Sequence, residues 1–82
     1  MGVGVESTAF LLGEPKELAA GIRRFRVKNK LSQSELAILS GVSLRTIQHL
    51  EGQRTRANSL TVMRLDDLMR RYERARKGKA VA

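Results

Sequence analysis

The chain has no cysteine, one proline, one histidine and few aromatic residues. Without cysteine there are no disulfides, thiolate metal sites or cysteine nucleophiles, and the composition suits a reducing cytoplasm. His49 has no second histidine with which to build a metal cage or a catalytic pair. With only Phe10, Phe25 and Tyr72 as aromatics, the core is expected to be aliphatic. No apolar run reaches the roughly 18 residues needed to span a bilayer. Residues 1–12 are partly apolar but lack the basic start of a signal peptide. Acidic residues are scarce too, eight against sixteen lysines and arginines, which leaves a net charge of +8.

The 82 residues make a single domain. A chain of this size buries roughly 60% of its unfolded surface, so its core is small and its stability marginal. The positive charge is unevenly placed. Residues 21–56 hold eight of the basic groups, opposed only by Glu35 and Glu51. Such a field attracts polyanions, nucleic acid before anionic membrane, although charge alone supports only non-specific binding.

Residues 1–13 carry three glycines and no clear period, and are expected to form a flexible arm. Glu14-Pro15 marks a helix start, since proline at the first helical position lacks only an amide that would be unpaired anyway. Leu18, Ile22 and Phe25 follow at i, i+4 and i+7, giving an apolar face to a helix ending near Asn29. Ser32-Gln33-Ser34-Glu35 has the spacing of a capping box. The short helix it opens, ending near Ser40, has Leu36, Ala37 and Leu39 as inward candidates, and Gly41 can supply the positive φ that ends it. Ser43 then caps a helix from Leu44 to about Glu51 with Ile47 and Leu50 facing inward. Residues 52–58 read as a polar, basic loop. Asn58 or Ser59 caps a last helix reaching about Lys77, with Leu65, Leu68, Met69 and Tyr72 on one face. Asp66–Arg70, Asp67–Arg71 and Glu73–Lys77 support it at i,i+4, acid first.

Two short helices joined by a tight glycine turn are a helix-turn-helix in outline. If Ile47 and Leu50 point inward, then Leu44, Arg45, Gln48 and His49 are able to point outward. Arginine suits guanine O6 and N7, glutamine suits adenine N6 and N7, and leucine can cover a thymine methyl. His49 can donate or accept. The free amides at the start of the preceding helix suit a phosphate, and Ser43 and Thr46 are short hydroxyl residues at the groove entrance. Catalysis is not expected. Asp66 and Asp67 are adjacent and diverge on a helix, and no glycine-rich phosphate loop follows a strand. No metal or cofactor is expected.

The pieces Ile22-Arg23-Arg24-Phe25-Arg26, Leu31-Ser32-Gln33-Ser34-Glu35-Leu36-Ala37, Gly41-Val42-Ser43 and Ile47-Gln48-His49-Leu50-Glu51-Gly52 together resemble the Cro/lambda-repressor-like helix-turn-helix family. The resemblance covers about residues 16–69. It implies an all-α bundle of four to five helices whose helix-turn-helix places its second helix in the major groove, here followed by a long basic C-terminal helix. It also implies a backbone contact at Gln33, phosphate or minor-groove contacts at Arg54 and Arg56, and a structural ion pair between Arg26 and Glu51. Where the family often carries Asn-Gly or Arg-Gly after the glutamate, this chain has Gly52-Gln53. The expected organisation is a flexible arm over residues 1–13, a helix-turn-helix DNA-binding domain over 14–69 and a basic C-terminal helix extension or tail over 70–82 that adds phosphate attraction.

The resemblance implies a sequence-specific regulator of double-stranded DNA, a cytoplasmic, nucleoid-associated protein of bacterial or phage origin. It would be a homodimeric repressor of phage or mobile-element type on a palindromic operator, controlled by its own concentration or by a partner. Dimer contacts are expected from Leu68, Met69 and Tyr72, or from Phe10, Leu11 and Leu12. Two other readings are an autoregulating antitoxin with a protein partner and an architectural protein that directs recombination. RNA binding ranks below these, because stacking aromatics are missing.

Overall fold

The computed structural model describes residues 8–81, and side chains over 8–76. Among the described residues there are five helices and no strand: α1 (Thr8–Leu11), α2 (Pro15–Asn29), α3 (Gln33–Ser40), α4 (Leu44–Glu51) and α5 (Ser59–Val81).

Each boundary has a local cause. Pro15 opens α2, and Lys30 closes it in the left-handed region (φ 56°), its amide reaching the carbonyls of Arg26 and Val27. The box at α3 is complete: Ser32 Oγ accepts from the Glu35 amide at 3.0 Å, and the Ser32 amide donates to Glu35 Oε1 at 2.8 Å. Gly41 (φ 77°) ends α3. Two residues later the Thr46 amide donates to Ser43 Oγ at 3.1 Å, which starts α4. Asn58 starts α5, accepting from the Thr61 amide at 2.8 Å.

One apolar cluster joins all five helices. Leu18, Ile22 and Phe25 of α2 meet Leu36 of α3, Val42 of the turn, Ile47 and Leu50 of α4, and Val62, Leu65, Leu68 and Met69 of α5. Phe10 of α1 is fully buried in the same cluster. The core is therefore largely aliphatic but seats two phenylalanines, and Phe25 meets Tyr72 edge-on at 5.2 Å.

Four expectations change. The arm expected over residues 1–13 is helical from Thr8, and Phe10 anchors it. Residues 1–7 lie outside the described part. Gly13 (φ 79°) follows α1 so closely packed that a Cβ there would lie 2.8 Å from the Ala57 carbonyl oxygen. Leu39 is not inside but 45% exposed, because α3 turns only Leu36 fully into the cluster. Leu68, Met69 and Phe10, offered for dimer contact, are buried within the monomer, whereas Leu11 and Leu12 stay exposed. Finally, α5 reaches Val81 rather than ending near Lys77, and the helical extension expected past residue 70 is one with the core helix. The side chains of Lys77 and Lys79 lie outside the described part.

Candidate nucleic-acid interface

The α3–turn–α4 unit is held from behind. Ile47 and Leu50 are fully buried and Glu51 is 93% buried at the C-terminal end of α4, its one buried charge. That carboxylate receives two bonds from Arg26 of α2, Nε to Oε2 at 2.5 Å and Nη2 to Oε1 at 2.9 Å. A bidentate fork of this kind fixes orientation as well as distance. Arg26 Nη1 also donates to the Leu31 carbonyl at 3.1 Å, and Gln33 Nε2 to Glu51 Oε1 at 3.3 Å. One ion pair thus ties α2, the α2–α3 link, α3 and α4 together. The hydrogen bond from Arg26 to Glu51 raises the arginine's pKa, helped by the charge of the carboxylate and opposed by burial. The guanidinium is a permanent cation in this pair.

With that side anchored, the opposite side of α4 faces outward. At about 100° per residue, Leu44, Gln48, Arg45 and His49 follow one another within an arc of about 140°. Arg45 and Gln48 are exposed, Leu44 is just over one-third exposed and His49 is half-buried. At the helix start Ser43 Oγ, besides accepting from the Thr46 amide, donates to Thr46 Oγ1 at 2.9 Å. The Thr46 hydroxyl proton is thereby left for an outside acceptor. At the start of α3, Ser32 takes the Glu35 amide, which leaves the amides of Gln33 and Ser34 without an intrahelical acceptor. The Gln33 side chain itself is turned to Glu51.

The loop after α4 divides its two arginines. Arg54 is exposed, and among the described residues its guanidinium makes no ion pair. Arg56 is engaged internally, with Nη1 donating to the Leu12 carbonyl at 3.3 Å and Nη2 to Glu14 Oε1 at 3.2 Å. This pair fastens the α1–α2 corner to the loop, an arrangement that sequence position alone does not reveal. Between them the chain passes through Gln53 in the left-handed region (φ 57°), with Gly52 at φ −83°. The residue that needs positive φ is therefore the second of the Gly52-Gln53 pair. A further contact went unmarked in the sequence: Arg64 of α5 donates from Nη1 to the Gly41 carbonyl at 2.8 Å, bracing the turn between α3 and α4.

No described helix is long and apolar enough to cross a membrane. No curated protein and no solved structure matches the chain. A family described as "Helix-turn-helix" does match, over residues 22–75, from the middle of α2 through about the first three-quarters of α5. That span contains the ion pair, both capped helices, the turn and the outward arc of α4. On this match the chain belongs to the helix-turn-helix family of the Cro/lambda-repressor type, a family of sequence-specific DNA-binding transcriptional regulators.

Proposed function

We propose that the chain is a dimeric repressor, of phage or mobile-element type, that reads a two-fold-symmetric operator with α4. The observation that carries this reading is the exposed arc of Leu44, Arg45, Gln48 and His49 on a helix whose other side is anchored by Ile47, Leu50 and the Arg26–Glu51 pair. A reader needs side chains free to meet base edges and a backbone that does not yield when they do. Arg45 is assigned to guanine, Gln48 to adenine, Leu44 to a thymine methyl and His49 to a neighbouring base edge. Backbone phosphates are assigned to the Gln33 amide, Ser43, the Thr46 hydroxyl and Arg54. Arg56, with its guanidinium held by Glu14 and Leu12, is left out of that set. Two copies extend the few base pairs one helix can read, with half-sites one helical turn apart. Leu11 and Leu12 are the exposed apolar side chains offered for pairing.

Selection from a random duplex library at near-physiological salt tests this, with Arg45→Ala and Arg76→Ala run beside the unaltered chain. One symmetric site should be enriched. Arg45→Ala should lose about 1–3 kcal/mol of discrimination at one base pair of each half-site, roughly 5- to 150-fold, while Arg76→Ala weakens all sequences alike. Binding without enrichment, collapsing with salt and equally sensitive to both changes, would refute base readout.

A further inference from the structure

A second surface contains none of the residues assigned above to base edges or to particular phosphates, and among the described residues it shares with the phosphate-attracting tail only the cation Arg76. Between α2 and the C-terminal half of α5 runs a groove of about 790 Å³. Lys16, Ala20, Arg23, Arg24 and Val27 line it from α2, and Met69, Tyr72, Glu73 and Arg76 from α5. Both sets follow helical spacing, so each is one continuous helix face. The apolar part of the lining is Met69 and the Phe25–Tyr72 edge-on pair, with Ala20 and Val27, the latter 71% exposed, at its edge. The rim is cationic, with Lys16, Arg23, Arg24, Lys28 and Arg76. Its two acids have partners, Glu73 lying 3.9 Å from Lys28 and Glu51 holding Arg26.

We propose that this groove docks an acidic amphipathic helix of a partner protein, and does so while the chain is on DNA. Charge complementarity selects the occupant. A helix with apolar residues at i, i+3, i+4 and i+7 covers the apolar lining, and carboxylates flanking that row meet the rim. DNA fits poorly, since a phosphodiester backbone has nothing apolar to lay on Val27 and Tyr72. A second copy fits poorly as well, because each copy carries +8 and has few acids to offer. Glu14 is held by Arg56, Asp66 by Arg70, Asp67 by Arg71, and Glu35 closes the capping box. None of Gln33, Ser43, Leu44, Arg45, Thr46, Gln48, His49 and Arg54 lines the groove, so the two surfaces can be used together.

A displayed library of helical peptides, selected on the full chain, tests this with two variants of equal charge change. Val27→Glu puts a carboxylate at the edge of the apolar lining. Ile38→Glu adds the same charge on α3, at a residue 80% exposed and outside the groove. Both positions are solvent-facing, so both variants should keep the wild-type helical circular dichroism and melting temperature. The expected result is enrichment of acidic amphipathic peptides. Their affinity should fall at least tenfold on Val27→Glu, change less than twofold on Ile38→Glu, and survive saturation of the chain with duplex DNA. The proposal is overturned by no enrichment, by equal loss on both variants, or by displacement with duplex. It is overturned too if Val27→Glu turns a dimer into a monomer in sedimentation. The same holds if no peptide is enriched while phosphatidylglycerol vesicles bind in a Val27-dependent way.

Discussion

In α3 and α4 the chain is held at helix ends as well as by a short buried side, whereas α5 is held mainly along one side. The two short helices have eight residues each, too few to persist alone in water. Each has a side-chain cap at its start, and one buried ion pair locks α4 against α2. The 23-residue α5 has Asn58 at its start and then a stripe of Val62, Leu65, Leu68 and Met69. Its outer side carries the exposed i,i+4 pair Asp67–Arg71, and beside it Arg70 reaches over to Asp66, whose side chain is largely buried. End fixation gives a helix that can be aimed. Side fixation leaves a long surface open to solvent, and the groove lies there. Polar contacts should accordingly matter greatly in the first region and little in the second.

The largest effect is expected at Glu51. Glu51→Ala leaves the Arg26 guanidinium without its carboxylate in a poorly hydrated place, at a cost of about 3–5 kcal/mol. For a chain of this length that lowers the melting temperature by more than about 12 °C. Replacing both partners, Arg26→Met with Glu51→Leu, should recover most of the loss, because two apolar groups need no mutual neutralisation. A melting curve for Glu51→Ala as high as that of a solvent-face variant would remove the ion pair from the account of how α4 is aimed. The sign of the Arg26 shift places its linkage far from neutrality. A raised pKa means stability that is present below the unfolded value and is lost only as pH rises through the folded one. The contribution of Arg26 should be flat through the neutral range.

Much of this region is legible in the sequence because its signals are local. Ser32 and Glu35 are three residues apart, Gly41 and Ser43 two, and Ile47 and Leu50 three, so short-range rules reach them. The outward arc of α4 then follows from its inward residues. What escapes is whatever depends on distant partners. Phe10 sits in a helix of four residues, too short to show a period, and its burial depends on packing against α2 and α5. Arg56 and Glu14 are 42 residues apart, so nothing near Arg56 marks its guanidinium as engaged. Leu68 and Met69 stand on a visible apolar face, yet periodicity does not say whether the same chain or a second one covers it.

Next in size is the cap. Ser32→Ala removes the hydroxyl that takes the Glu35 amide and should cost about 1 kcal/mol. The matched change on α5, Asn58→Ala, should cost a smaller fraction of that helix's stability, since its side is already buried. Equal fraying of both first turns by amide exchange would erase the distinction between end-held and side-held helices. A gain is expected at Gln53, whose φ of 57° suits glycine better than glutamine. Gln53→Gly should stabilise the chain by about 0.5–1 kcal/mol, and an unchanged or lowered denaturation midpoint would mean that the Gln53 side chain contributes more than its backbone costs.

The smallest effect is expected on the outer side of α5. Asp67 and Arg71 approach to 2.7 Å, as closely as many buried pairs, yet their side chains are 58% and 67% exposed. Distance alone would rank this bond beside Arg26–Glu51. Exposure reverses the ranking, because water screens the attraction and solvates either partner once the other is gone. Arg71→Ala should therefore move stability by less than about 0.5 kcal/mol, and raising the salt should shrink the difference further. A loss approaching that of Glu51→Ala would mean that α5 depends on its charged edge as α4 depends on its ion pair. Distance would then say more than exposure does about which polar contacts hold this chain together, but only if salt left that loss untouched, since a screened surface pair must weaken as ionic strength rises.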